Sequence, residues 1–303
     1  MKTVIFGAGS DLGVHIDGTS LGPKQLINDI SSFYKDEIIT LEQDKNIIKS
    51  KNLSDRRKNE YEIERFNEAL YDAYLKKINN EECFPILIGG DHTTAIPSAL
   101  ANVEKHKEIG IIWIDAHADF NTFQTTETGN LHGLPLATIV GYENNELRYY
   151  HKGNLINPSK CVIVGARSID NAEKDNLRYA NVKVYTTNDI KEKGVNQVLD
   201  EAFEIAGKKT AGIHVSFDLD VITPEVAPGV SVPEDDGITE EETMKITKYL
   251  SKNIKDITSF DLVEFNPLRD ENRKTEQIAV NVLAEIIKAA SSKTKFDNER
   301  AKE

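Results

Sequence analysis

The stretch Ile111-Ile112-Trp113-Ile114-Asp115-Ala116-His117-Ala118-Asp119 constrains this chain more than any other, because four apolar residues give way within one position to alternating acid, imidazole and acid. A run that apolar needs cover on both faces, the state of a parallel strand between two helix layers. If the backbone stays extended past Ile114, strand alternation turns Asp115, His117 and Asp119 to one side. Three metal-binding side chains would then meet at the carboxyl end of a buried strand, where open α/β sheets bind ligands. A lone Asp-x-His in that position reads first as a turn or a helix cap. Two other stretches repeat the pattern and weigh against that reading: Ile86-Leu87-Ile88 breaks into Gly89-Gly90-Asp91-His92, and His214-Val215-Ser216-Phe217 into Asp218-Leu219-Asp220.

The rest of the chain supplies the cover such strands need. Residues 61–78 carry Ile63, Phe66, Leu70, Tyr74 and Ile78 at the three-and-four spacing of an amphipathic helix. Further helices are expected from Pro23 to Ile30, at 93–103 with Thr93 or Thr94 near the cap, and at 172–179, 195–206, 239–250 and 275–290. Strands are expected at 38–41, 85–88, 161–164, 182–185, 213–217 and 257–263. This alternation predicts one three-layer α/β/α domain over residues 1–303, its sheet doubly wound and largely parallel, with a charged tail at 291–303 expected to fray. Val4-Ile5-Phe6 reads as a first strand, and Gly7-Ala8-Gly9-Ser10-Asp11-Leu12-Gly13 as a glycine-rich loop after it. It is not a dinucleotide fingerprint, since Leu12 stands where the third glycine belongs. Residues 43–59 read as an exposed loop, and 122–130 as a loop over the metal.

A net charge of −13 argues against nucleic acid or an anionic membrane as partner and suits a small cationic substrate. No apolar run approaches the roughly 18 residues that span a bilayer, so a cytoplasmic enzyme is expected. Cys83 and Cys161 are the only cysteines, which indicates neither a disulfide framework nor a zinc ribbon.

The candidate metal ligands are therefore His92, Asp115, His117, Asp119, Asp218 and Asp220. Four carboxylates in one place repel, and two divalent cations neutralise them. Without thiolates the set suits Mn²⁺, and equally Co²⁺, Ni²⁺ or Fe²⁺. Ions about 3.5 to 4 Å apart can share a water, lower its pKa and present hydroxide to an electrophilic carbon. Among the other polar residues, Asp91 reads as an orienting group and His214 as a hydrogen-bonded core histidine. His15 reads as a group near the site or on the surface, and His106 and His151 as solvated.

Gly89-Gly90-Asp91-His92, Asp115-Ala116-His117-Ala118-Asp119 and Ser216-Phe217-Asp218-Leu219-Asp220 resemble the three signatures of the ureohydrolase family, which includes arginase, agmatinase and formimidoylglutamase. The resemblance spans about Gly7 to Ile287 and is nearest to arginase. It implies two Mn²⁺ per chain, one on His92, Asp115, Asp119 and Asp218, the other on His117, Asp115, Asp218 and Asp220. It implies hydrolysis of L-arginine to L-ornithine and urea by a hydroxide that bridges the metals and is hydrogen-bonded to Asp119. Agmatinase, guanidinobutyrase, formimidoylglutamase and a non-catalytic metal-binding relative are the alternatives. Similarity to arginase further implies that Asn121 and Thr128 meet the α-carboxylate, Asp170 and Glu173 the α-amino group, Glu264 the guanidinium, and that His132 relays protons. It also implies a homo-oligomer, a trimer or hexamer. Three positions depart from the arginase pattern: Glu127, Thr223 and Val232.

Overall fold

In the computed structural model, which describes residues 2–50, 52, 55–142 and 146–300 (293–300 as backbone alone), eight strands form a single sheet. They are β1 (Lys2–Gly9), β2 (Glu37–Glu42), β3 (Cys83–Gly89), β4 (Gly110–Ile114), β5 (Cys161–Ala166), β6 (Lys183–Thr186), β7 (Ile213–Asp218) and β8 (Ile257–Val263). Every pairing is parallel, in the order β2-β1-β3-β8-β7-β4-β5-β6. Nine α-helices among the described residues connect them: α1 (Gly22–Ile30), α2 (Glu60–Asn80), α3 (Ala95–His106), α4 (Pro135–Ile139), α5 (Asn171–Ala180), α6 (Thr187–Lys193), α7 (Val195–Gly207), α8 (Glu240–Lys252) and α9 (Lys274–Arg300).

Alternation along the buried strands divides the core into two layers. Ile86, Ile88, Ile112, Ile114, Val162 and Val164 pack beneath α1 and α6–α9. Leu87, Ile111, Trp113, Cys161 and Ile163 face the other way, against α2–α5. The result is the expected three-layer α/β/α architecture, and the sheet is wholly parallel.

Several local expectations change in the fold. β1 runs through the glycines to Gly9 rather than ending at Phe6. The strand continues by pairing with β2 as far as Glu42, and glycine stands at position 9 because a side chain there would meet the Ser20 carbonyl at 2.7 Å. α6 went unforeseen; its Thr186 cap and Asp189 form a capping box that seven residues of weak periodicity do not advertise. Thr94 occupies the cap position of α3, as expected, without a capping bond from its side chain; the 3-10 turn His92–Thr94 just before it is capped by Asp91, whose side chain accepts from Thr93 N at 2.9 Å. α9 continues as helix through Arg300 past the expected end at Ala290. Residues 301–303 of the expected tail lie outside the described residues. His151, expected in solvent, is buried between Tyr71 Oη (3.0 Å from Nδ1) and the Asn154 carbonyl (2.9 Å from Nε2).

Candidate metal centre

The sheet order explains how distant acids and imidazoles meet. From β1 the chain steps out to the edge strand β2 and returns inward to β3, then runs from β4 through β5 to the other edge at β6, and β7 and β8 later fill the gap between β3 and β4. Four adjacent strands thus end side by side, delivering His92 after β3, Glu264 after β8, Asp218 at the end of β7 and Asp115 after β4. Gly90 permits this convergence. A Cβ there would lie 1.9 Å from the Ser10 carbonyl oxygen, so only glycine lets the β3 loop pass beneath the end of β1.

The period-two expectation past Ile114 does not hold, because β4 ends at Ile114 and Asp119 adopts a left-handed backbone with φ of 50°. Convergence comes from a bent loop held by Asp115 from within and by Asp220 from the turn after β7. Asp115 Oδ1 accepts from His117 N at 2.6 Å, and Asp220 Oδ1 from Ala116 N at 3.3 Å. Asp218 Oδ1 accepts from Asp220 N at 2.8 Å, turning the chain into a short 3-10 helix over Leu219–Val221.

His92, Asp115 and Asp119 form one group able to hold a cation, and Asp115, His117 and Asp220 a second that shares Asp115. The His92 Nδ1 atom lies 3.1 Å from Asp115 Oδ2, 3.1 Å from Asp119 Oδ2 and 3.0 Å from Asp218 Oδ2. His117 Nδ1 lies 3.0 Å from Asp220 Oδ2 and 3.5 Å from Asp115 Oδ1. The six expected ligands are therefore in one place. They also fit divalent cations chemically: all donors are carboxylate oxygens or imidazole nitrogens, and the buried His92 Nδ1 faces three carboxylates without a hydrogen bond of its own.

The electrostatics say the same. Burial, then Asp220 and Asp115, drive the Asp218 carboxyl well above its ordinary value, and burial with Asp115 raises Asp119 to about 6. Burial opposes charging of His92 and His117, yet the surrounding carboxylates raise both imidazoles well above theirs. Carboxyls and imidazoles raised together mark a crowding of negative charge that a bound cation would relieve.

Supporting contacts fix the ligands. His92 stacks on Trp113 at 3.9 Å with an interplanar angle of 8°, and its Nε2 meets Ser216 Oγ at 2.9 Å. Trp113 Nε1 donates to Asp115 Oδ2 at 2.9 Å. Asp91 is occupied by Ser10, Gly13 and Thr93. His214 is buried between Ser259 Oγ and Asp261.

Above the ligands lies a cavity of about 250 Å³ whose walls include Asn121, Thr128, His132, Asp170, Glu173 and Val232. Asn121 Nδ2 donates to Asp170 Oδ2 at 3.1 Å. Both Glu173 oxygens already accept backbone donors, from Phe120 at 2.7 Å and Asp170 at 3.2 Å, and burial pushes its carboxyl up to about 8. Glu264, at φ 66°, takes His92 N at 2.9 Å and faces His132 Nδ1 at 3.1 Å, both through Oε1; its buried Oε2 has no hydrogen-bond partner among the described residues. Burial lowers the His132 pKa, but Glu264, then Asp119 and Asp91, bring it above the ordinary value.

Sequence reasoning passed over Glu234, whose Oε1 lies 3.4 Å from His117 Nε2. Glu234 sits in a turn among acids and carries no motif. Trp113 was read only as a core residue, since an apolar run gives no sign of where an indole N–H points. Lys58 is buried although 43–59 reads as exposed loop.

A family model described as the arginase family matches residues 1–288. The arginase of Bacillus caldovelox is 39% identical over 208 residues, 67% of this chain and 68% of that protein. Its solved structure matches with a TM-score of 0.87 at 31% identity, covering 95% of this chain and 98% of that one. The arginase of Bacillus subtilis strain 168 is 35% identical over 239 residues, 76% and 79% of the two chains. An arginase of Entamoeba histolytica, solved in complex with L-ornithine, matches with a TM-score of 0.84 at 28% identity over 94% and 98%. Fold, acid-rich strand ends and these likenesses together define a ureohydrolase enzyme. The chain belongs to the arginase family. Among the described residues, no helix is long and apolar enough to cross a membrane.

Proposed function

We propose that the chain hydrolyses L-arginine to L-ornithine and urea with two Mn²⁺ ions. One would be held by His92, Asp115, Asp119 and Asp218, the second by His117, Asp115, Asp218 and Asp220. The observation that carries this reading is the pair of cation-binding groups joined at Asp115, on the floor beneath a cavity walled by Asn121, Thr128 and Asp170. When bound, the two cations supply a water of lowered pKa as nucleophile for the guanidinium carbon.

The chain's own residues do the rest. Glu264 offers its unpartnered Oε2 to a guanidinium N–H, a charge-assisted bond in a buried place. Asp119 accepts a hydrogen bond from the nucleophile and orients it. His132, tied to Glu264 through Nδ1, exchanges protons through its other nitrogen as the C–N bond breaks and ornithine leaves as an amine. Asn121 and Thr128 take the α-carboxylate. Asp170 takes the α-amino group, with Glu173 supporting it, since backbone donors already occupy both Glu173 oxygens. The ornithine bound to the Entamoeba histolytica relative agrees with this product. We assign the enzyme to the cytoplasm as a homo-oligomer, a trimer or hexamer; sedimentation of the purified protein as a monomer would remove that assignment.

The test is product identification on protein of measured metal content, with L-arginine, agmatine, 4-guanidinobutyrate and formimidoylglutamate. Urea and ornithine from arginine are expected. Turnover confined to any of the other three would replace arginine as substrate, and none at all would leave a metal-binding relative without catalysis.

A further inference from the structure

The cavity over the candidate ligands opens into a second, outer one. The inner cavity and the outer, about 570 Å³, share His15, Glu127, Thr128 and Asn130 as walls. Two lysines line the outer cavity, and they differ in their partners. Lys49 Nζ sits 3.2 Å from Asp11 Oδ1 and 2.6 Å from Asp17 Oδ1, so its charge is compensated. Lys58 is 5% exposed and donates to the Thr128 carbonyl at 2.5 Å. Among the described residues no carboxylate pairs with it.

A buried ammonium carries three N–H donors, and one carbonyl satisfies one of them. A buried charge without a counter-ion is costly, so an anion entering beside Lys58 would gain more than at a solvated lysine. The carbonyl it grips belongs to the loop that separates the two cavities. Partial desolvation, His132 and then Lys58 hold the His15 imidazole below its usual value, so the charge of Lys58 reaches the shared wall. Thr128, one of the two residues assigned above to the α-carboxylate, is part of that wall.

We propose that Lys58 determines specificity, as the cationic partner of a carboxylate at the outer end of the substrate. The inference rests on the guanidino-hydrolase reading of the inner site. It distinguishes an amino-acid substrate from a decarboxylated one by charge, where Asn121 and Thr128 offer only neutral hydrogen bonds.

The experiment compares Mn²⁺-loaded wild type, Lys58→Met and Lys58→Arg. For Lys58→Met we expect KM for L-arginine and Kd for L-ornithine to rise about tenfold to a hundredfold, the range of a charged hydrogen bond, with kcat retained. The inhibition constant of agmatine, which lacks the carboxylate, stays at its wild-type value, and Lys58→Arg restores most of the ornithine affinity. Unchanged ornithine affinity overturns the proposal. So does equal weakening of agmatine and ornithine, or a fall in kcat at constant KM, because either marks Lys58 as a prop for the Thr126–Asn130 loop. Should Lys58→Met fail to fold, Lys58→Gln keeps a donor for the Thr128 carbonyl and is judged by the same criteria. A wild type that makes no urea from arginine removes the site reading itself, and Lys58 with it; one that does, while Lys58→Met binds ornithine normally, removes only the role of Lys58.

Discussion

Trp113→Phe tests how the candidate ligands are held. Trp113 is the chain's single tryptophan, fully buried, stacked on His92 and bonded through Nε1 to Asp115 Oδ2 at 2.9 Å. Phenylalanine keeps a ring to stack and deletes the donor. Because Asp115 is common to both cation groups, one indole proton bears on two ions. A hydrogen bond to a charged acceptor is worth roughly 1.5–3 kcal/mol. The smaller ring forfeits about 1 kcal/mol more of buried apolar surface. Chelator-treated protein should therefore lose about 2.5–4 kcal/mol of stability, visible as a lower urea midpoint at constant slope. A ligand carboxylate released from its support binds metal about tenfold to a hundredfold more weakly. Calorimetric titration with Mn²⁺ should show that weakening for both ions. Unchanged affinity in a destabilised variant would refute the reasoning, for the indole would then serve the core alone. Unchanged stability would show that its hydrogen bond adds nothing.

His117→Ala and Asp220→Ala should each bind one Mn²⁺ in place of two and lose most turnover; elemental analysis showing two retained ions would contradict the proposed division of ligands. Asp170→Asn, which preserves a helix-capping side chain for α5, should raise KM for arginine about tenfold with little change in kcat, and an equal rise in Ki for 4-guanidinobutyrate, which has no α-amino group, would remove Asp170 from that contact. Burial holds the His151 pKa below its ordinary value of about 6.5, against a smaller opposing effect of its bond to Asn154. Between the native and unfolded pKa values the unfolded chain binds more protons, so the stability due to neutral His151 is present above about pH 6.5 and lost as pH falls through that window. His151→Gln should flatten this part of the urea-midpoint profile in chelator-treated protein, and an NMR titration placing His151 at or above the ordinary histidine value would end the argument.

Much of this protein could be read before any coordinates. Apolar runs such as Ile111–Ile114 are strands in any packing that covers both faces, and the spacing in 61–78 matches the buried face of α2. The six acids and imidazoles stood out because the same break from apolar run to acid and imidazole recurs at three separate stretches, where a single one would read as a turn or a helix cap.

Local sequence determined the elements and the identity of the candidate donors, because hydrophobic period and side-chain chemistry are properties of neighbouring residues. It did not determine how those donors meet. That depended on β7 and β8 inserting between β3 and β4, which brings Glu264 within 2.9 Å of the His92 backbone N. It depended too on the left-handed turn at Asp119 that replaces an extended strand. The burial of His151 and of the Lys58 ammonium, and the direction of the Trp113 indole, belong to the same category. Lys58 meets the Thr128 carbonyl across 70 positions of sequence and His151 meets Tyr71 across 80, while Trp113 stacks on His92 from a different strand, so these placements rest on contacts that no local window contains.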